Sequence, residues 1–289
     1  MPLGAFLPTR AFSKDPRAIR DWAMAVEELG YDYIDVPDHV LGVDRQSRPD
    51  FEGPYDISDA FHETFVTLGY LAAITERVRL RSAVLILPQR QTALVAKQAA
   101  EVDVLSGGRF DLGVGVGWNS VEYEALNEDW KTRGSHQTEQ LEAMQRLWTN
   151  DVVNYNGKFH NFNGIGLNPR PIQQPIPIWF GGSADATLRR AVRYGAGWIP
   201  LGKPDVDAVS RLTALCGYLE AAGRDPDGFG IECWIRTTRR DPDSWARAAN
   251  AWRDIGATDV TLYTSGTDIE TVADQIDALR AFKERSENY

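Results

Sequence analysis

Short apolar runs alternate along the chain with longer stretches whose apolar residues recur every three or four positions. This is the pattern of repeated strand–helix units around a parallel sheet. Eight runs read as strands: Leu3–Pro8, Tyr31–Val36, Val78–Leu87, Arg109–Gly113, Pro177–Gly181, Gly197–Pro200, Phe229–Arg236 and Asp259–Tyr263. Each is too short for a helix, and several are flanked by Gly or Pro. In the first helical stretch Asp15 can cap, Pro16 suits the opening position, and Ile19, Trp22, Ala23, Val26 and Leu29 share one face before Gly30 ends it. Similar stripes run through Leu141, Met144, Leu147 and Trp148 and through Ile269, Val272, Ile276 and Leu279. Asp241-Pro242 and Gly256 bracket a helix whose Trp245 and Trp252 read as core.

Eight strand–helix pairs predict an α/β fold, the (β/α)8 TIM barrel, which needs roughly 250 residues as one unit. The 289 residues fit one such domain over 1–289. Two long insertions break the spacing: Leu41–Asp59 after strand two and Asp151–Gln174 before strand five, both rich in Pro, Gly and Asn. The first follows the C-terminal end of a strand, where barrels build their sites, so it reads as a lid in preference to a passive excursion.

Composition narrows the classes. With 43% hydrophobic residues and nine tryptophans, a large core is available and disorder is excluded. A net charge of −10 without any dense Lys/Arg cluster repels a phosphate backbone, so nucleic acid is not an expected partner. Cys216 and Cys233 are too few for a disulfide framework and do not form a metal-type pair, which fits a reducing, cytoplasmic setting. The start of the chain has neither basic lead nor apolar signal run, and no segment approaches about eighteen uninterrupted apolar residues, so export and membrane insertion are not expected.

The stretch from Ser106 to Trp118 then stands out. Gly113, Gly115 and Gly117 alternate at a strand end and leave room for a flat ligand to touch the backbone, or else mark tight packing. A dinucleotide fingerprint would need glycine where Trp118 stands, and no acidic residue ends a strand about twenty residues on. At the end of strand two, Asp35-Val36-Pro37-Asp38-His39 points titratable groups at the barrel mouth. An ordinary imidazole titrates near 6.5, which makes His39 the candidate acid or base. Asp38 would orient that imidazole, accept from a ligand N–H, or serve only as a cap.

Other chemistries lose ground. His62, His136 and His160 show no pairing that would place two nitrogens on a metal, so no metal site is assigned. A Ser nucleophile elbow is missing, and Lys203 follows Ile199-Pro200 in a loop, whereas a Schiff-base lysine would sit in a strand. After strand five, Gly181-Gly182-Ser183 leads into a helix whose free N–H groups suit a phosphate. The plainer alternative is a tight turn capped by Ser183 or Asp185, and Asp185 itself counts against a phosphate.

These residues resemble the bacterial luciferase-like superfamily of flavin- or deazaflavin-dependent oxidoreductases. The landmarks are Tyr33 to His39, Thr75 to Leu80, Ala83 to Arg90, Leu105 to Phe110, Gly113 to Trp118, Glu122-Tyr123, Arg133-Gly134, Pro169 to Gln173, Gly181-Gly182 and Tyr194 to Trp198. They follow the family's order over about residues 1 to 200. The chain is most similar to the branch that uses coenzyme F420. That resemblance implies a bulge with a non-proline cis peptide at Ala83-Val84 behind the deazaflavin ring. It also implies Asp38 and His39 beside cofactor and reacting centre, and Gly181 and Gly182 at the cofactor phosphate.

One departure matters. In F420-dependent sugar-phosphate dehydrogenases a glutamate follows the glycine run directly, but here Trp118 stands there and Glu122 lies four residues on. Sugar-phosphate oxidation is therefore disfavoured, and Trp118 reads either as an apolar wall for a hydrophobic or aromatic substrate or as a plug in the mouth. Arg133 and His136 read as pocket residues or as capping and ion-pair groups. The resulting expectation is hydride transfer between F420 and a small organic substrate, the alternatives being an FMN-dependent monooxygenase and a non-catalytic flavin- or deazaflavin-binding protein. Relatives form homodimers through barrel helices, and a homodimer is expected here.

Overall fold

The computed structural model describes residues 1–12, 15–237, 240–264 and 269–286. Strand–helix units follow one another through β1 (Leu3–Phe6), α1 (Pro16–Glu28), β2 (Tyr33–Val36), α2 (Thr64–Ile74), β3 (Arg79–Ser82), β4 (Leu85–Ile86), α3 (Thr92–Leu105) and β5 (Phe110–Gly115). After α4 (Ser120–Ala125) and α5 (Arg133–Thr149) come β6 (Val153–Asn156) and β7 (Asn161–Ile165). The second half holds β8 (Ile178–Gly181), α6 (Asp185–Tyr194), β9 (Gly197–Ile199), α7 (Val206–Ala221), β10 (Gly230–Thr237), α8 (Pro242–Asp254), β11 (Asp259–Thr264) and α9 (Val272–Ser286). The sheet runs β3-β2-β1-β11-β10-β9-β8-β5-β4, and a β3–β5 pairing closes it. Since β4 continues β3, the result is a closed parallel barrel of eight strands ringed by helices, a TIM barrel.

The sequence dictates the local features. Asp15 accepts from Arg17 N at the head of α1, with Pro16 opening the helix, and Trp22 and Val26 on its inner face are fully buried. Asp241 caps α8 in the same way, and Trp245 and Trp252 are buried. The landmark residues outside the mouth are joints. Arg109 donates to the carbonyls of Ser106, Thr75 and Val78, tying β5 to the end of α2. Gln173 donates through Nε2 to Asp103 and to the Phe110 carbonyl, tying the segment before β8 to α3 and β5.

Two expectations change. The Asp151–Gln174 insertion is not irregular throughout, because β6 and β7 form an antiparallel hairpin in it; a Glu139 carboxylate accepts from the N–H groups of Lys158, Phe159 and His160 and holds the hairpin to α5. The run Val78–Leu87, read as one strand, is divided into β3 and β4 by the bulge that the resemblance implies. Leu80 faces Phe110 and Arg81 faces Asp111, but Leu85 faces Val114 and Ile86 faces Gly115. The strand thus carries one residue more than its neighbour and bulges at Ala83-Val84.

Below the mouth the barrel is plugged by a polar cluster. Arg81 lies between the rings of Tyr33 (4.4 Å) and Trp179 (3.8 Å) and forms ion pairs with Glu232 and, at 3.6 Å, Asp111. Thr261 donates to Glu232 (2.5 Å), and Trp234 Nε1 donates to the same carboxylate at 2.9 Å. Burial and the adjacent Glu232 charge push the Asp35 carboxyl well above its usual range, so Asp35 holds a proton; burial opposes charge on Glu232 too, but Arg81 together with the hydrogen bonds from Asp35, Thr261 and Trp234 outweighs it and holds Glu232 below its ordinary value.

Candidate active site

Above this plug, the C-terminal ends of the strands enclose a cavity of about 690 Å³, within the roughly 300–1,000 Å³ usual for small-molecule sites. Its wall is assembled from separate elements: His39 after β2, Ala83 and Val84 of the bulge, Trp118 after β5, Trp234 of β10 and Tyr263 of β11. The peptide between Ala83 and Val84 is cis, at the step the family resemblance implies. Pro54 and Tyr55 bring the 41–59 insertion to the mouth, and the Tyr55 hydroxyl meets that of Tyr263 at 3.0 Å.

His39 is set from two sides. Its Nδ1 lies 3.0 Å from Glu122 Oε2, while Glu122 Oε1 accepts from Val40 N (2.6 Å) and Leu41 N (3.1 Å). Asn119 caps α4 by accepting from the N–H groups of Val121 and Glu122, which fixes the glutamate on the first turn, facing the loop after β2. Burial raises the Glu122 carboxyl, but the His39 imidazole and the two amides outweigh it and hold the group below its ordinary value. The carboxylate therefore accepts, Nδ1 carries the proton, and the lone pair of Nε2 is left on the far side of a ring that lines the cavity. Phe61 at 4.8 Å, Tyr55 at 5.4 Å and Trp118 at 5.5 Å between ring centroids pack around the imidazole.

Asp38 does not orient this ring. It accepts from Ile86 N (2.8 Å), Thr64 Oγ1 (2.9 Å) and Arg90 Nη2 (2.7 Å), so its carboxylate fastens β4 to the turn after β2. Asp38 and His39 both border the cavity, but the Asp38 carboxylate is spent on that joint, and the orienting acid is Glu122. Sequence reasoning noticed Glu122 as a displaced acid without finding its partner; the available signal was Asn119, a cap three residues before it.

The glycines are also corrected. A Cβ on Gly113 would lie 1.9 Å from the Ser82 carbonyl oxygen, one on Gly115 2.8 Å from a Val84 methyl, and one on Gly117 2.8 Å from Ile86 Cγ2. Gly181 meets the other face of Val84, at 2.8 and 3.0 Å. The space left by these residues is filled by the bulge, not offered to a ligand, and Gly115, Gly117 and Gly181 stay outside the cavity lining. Gly182 and Ser183 lie outside that lining as well. Neither Ser183 nor Asp185 caps α6: the N-cap is Ala184, without a side-chain bond, and Asp185 is engaged by Arg189 (2.8 Å) and Tyr218 (2.5 Å). Trp118 is 40% exposed and lines the mouth rather than plugging the barrel. Arg133 stacks on Trp130 and His136 on His160, both away from the cavity.

Residues 1–281 match the luciferase-like monooxygenase family, and the chain belongs to it. An uncharacterized protein of Mycobacterium tuberculosis is 34% identical over 282 residues, covering 91% of this chain and 92% of the relative. Among solved structures, monooxygenase RslO1 from Streptomyces bottropensis aligns with a TM-score of 0.83 at 19% identity, covering 100% of this chain and 99% of that one. An F420-dependent secondary alcohol dehydrogenase aligns with a TM-score of 0.80 at 15% identity, covering 99% and 98%. Both share the barrel. Among the described residues no helix is long and apolar enough to cross a membrane.

Proposed function

We propose that the protein transfers hydride between coenzyme F420 and a small organic substrate of apolar or aromatic character, with His39 moving the accompanying proton. The observation that carries this reading is the His39–Glu122 pair on the wall of an aromatic cavity, beside the cis-peptide bulge. When bound, a deazaflavin supplies the carbon that accepts or gives the hydride. Ala83 and Val84 would back its ring. Gly182, at φ +121° and with only ordinary contact to Thr187 where a Cβ would stand, and the first-turn N–H groups of α6, uncapped by any side chain, would meet its phosphate. His39 Nε2 accepts a proton from a substrate hydroxyl as the substrate is oxidised, and Glu122 stabilises the resulting imidazolium. Trp118, Tyr55 and Phe61 exclude water from that exchange. Exposed Val66 and Tyr70 on the charge-free α2, with Leu94 and Leu105 on α3, support an assembly of two copies through this face.

A second reading, an FMN-dependent monooxygenase, draws on the full-length likeness to RslO1. Separate titrations with F420 and FMN, followed by each chromophore, distinguish the two. The proposal expects micromolar-range F420 binding, substrate-dependent F420 reduction without oxygen, and a His39→Ala variant that binds F420 but turns over at least about a hundredfold more slowly. Oxygen-coupled turnover with reduced FMN and no affinity for F420 overturns it. A His39→Ala variant as active as the parent would leave a cofactor-binding role without catalysis by this residue.

A further inference from the structure

Among the described residues the cations around the mouth are matched, with two exceptions. Arg10 pairs with Asp59, Arg45 with Asp56, Arg48 with Glu124, and Arg90 with both Asp38 and Glu63. Lys203, on the loop between β9 and α7, and Arg236, near the end of β10, line the same cavity. Neither head group has a carboxylate within 4.0 Å or a hydrogen bond among the described residues. Arg236 instead rests over the rings of Trp234 and Tyr263, at 5.3 and 5.1 Å. Asp38, the carboxylate on the cavity wall, is already saturated by Arg90, Thr64 and the Ile86 amide. In a chain of net charge −10, two unpaired cations converging on one aromatic cavity are a positive spot the protein leaves open.

The order of the barrel sets their distance from the chemistry. β9 pairs with β10, so Lys203 and Arg236 arise from neighbouring strands. In the ring β2-β1-β11-β10-β9, β10 stands three places and β9 four places from β2, the strand that carries His39; in an eight-strand ring that is across the mouth. We infer that Lys203 and Arg236 bind an anionic group of the substrate, a carboxylate or phosphate, and thereby hold its reacting carbon across the mouth against His39. This rests on the hydride-transfer reading and narrows its substrate class from apolar or aromatic molecules to aromatic or apolar acids. Because the two heads are exposed, the attraction is screened by salt.

An anion could also come from the cofactor's tail, and the test separates the sources. Calorimetric titrations of the full-length protein, with and without F420, use mandelate and its neutral counterpart 1-phenylethanol. Mandelate should bind at least about tenfold more tightly, as expected for charge-assisted hydrogen bonds, and the advantage should shrink with added salt. The Lys203→Gln/Arg236→Gln double variant should lose that preference while keeping its affinity for 1-phenylethanol and F420, and Lys203→Arg/Arg236→Lys should retain it. Equal binding of the two probes by the parent protein, or an unchanged preference in the Gln variant, overturns the inference. So does a Gln variant that loses F420 instead of mandelate, since the cations would then hold the cofactor tail. A parent protein that prefers mandelate but ignores F420 sinks the hydride-transfer proposal and leaves the anion site standing.

Discussion

An imidazole can give or take a proton from either nitrogen, and what faces the other nitrogen decides which. At His39 that decision belongs to Glu122, whose Oε2 takes the Nδ1 proton while Oε1 secures the Val40 and Leu41 amides. Glu122→Gln separates the two tasks. An amide oxygen in the Oε1 position keeps the backbone anchored, but the amide nitrogen now donates to Nδ1 and forces the proton onto Nε2, where it blocks acceptance from a substrate hydroxyl. Turnover in the oxidative direction should fall by about ten- to a thousandfold with F420 affinity nearly unchanged, the thermal midpoint should drop modestly at neutral pH as the carboxylate's ionic contribution is lost, and the pH profile of kcat should lose its acidic limb. A variant with the parent's profile would mean the glutamate serves only the loop. His39 and Trp118 were legible in the sequence because each ends a barrel strand, where side chains face the mouth. The Glu122 partnership was not, because it depends on how a six-residue helix docks against a loop 83 residues away. Asp38 and His39 illustrate the same limit: both border the cavity, but adjacency in sequence left open that the Asp38 carboxylate is spent on Arg90, Thr64 and the Ile86 amide.

At the scale of elements, the glycines at the ends of β5 and β8 and the bulge in the third strand are one device. Val84 inserts its two methyls between those strands, Cγ2 against Gly115 and both against Gly181. The glycine spacing was visible in the sequence, but its cause lay in another strand, so the sequence left a ligand opening and tight packing undecided. The helices were better served, since caps such as Asp15 and Asp241 and the apolar stripes they precede are local signals. The hairpin β6–β7 escaped notice because its strands are short and polar, with most of their residues exposed. The fit predicts a specific coupling. Gly181→Ala places a methyl against the branched, unyielding Val84 and should cost about 1–3 kcal/mol of stability, read from urea unfolding midpoints, and weaken F420 binding by displacing the cavity wall. Combining it with Val84→Ala, which removes the opposing methyls, should cost less than the two single changes added together. Strict additivity would show that the bulge and the glycine do not touch.

For the molecule as a whole, the barrel is closed from below by charge rather than by apolar packing alone, which the apolar run Val78–Leu87 did not announce. Arg81 sits fully buried on that run and faces Glu232 and Asp111, with Asp35 near enough to share the same field. Glu232 balances Arg81, and Asp111 is shared with Arg79, which pairs with it at 2.5 Å; a further charge in the same enclosure would be uncompensated, and burial together with Glu232 accordingly keeps Asp35 protonated. In the unfolded chain an aspartate titrates near 3.9. Above that pH the folded barrel binds one proton more than the unfolded chain, so this group's contribution to stability is complete below about pH 4 and declines as pH rises, by about 1.4 kcal/mol per pH unit, until the raised folded value is passed. Glu232 and Glu122, held below their ordinary values, contribute with the opposite sign: their stabilisation is present above their unfolded values and is lost on acidification. The net curve mixes both, but a single substitution isolates Asp35. Asparagine is neutral at every pH, close in shape, and its amide N–H can donate in place of the carboxyl proton, toward Glu232 or the Thr261 oxygen 3.1 Å away. The stability of Asp35→Asn relative to the parent, from urea unfolding at pH 5, 6, 7 and 8, should therefore rise with pH, while both proteins lose stability together on acidification through the other carboxylates. Parallel curves over that range would mean that Asp35 is ionised inside the barrel beside a Glu232 that already matches the arginine.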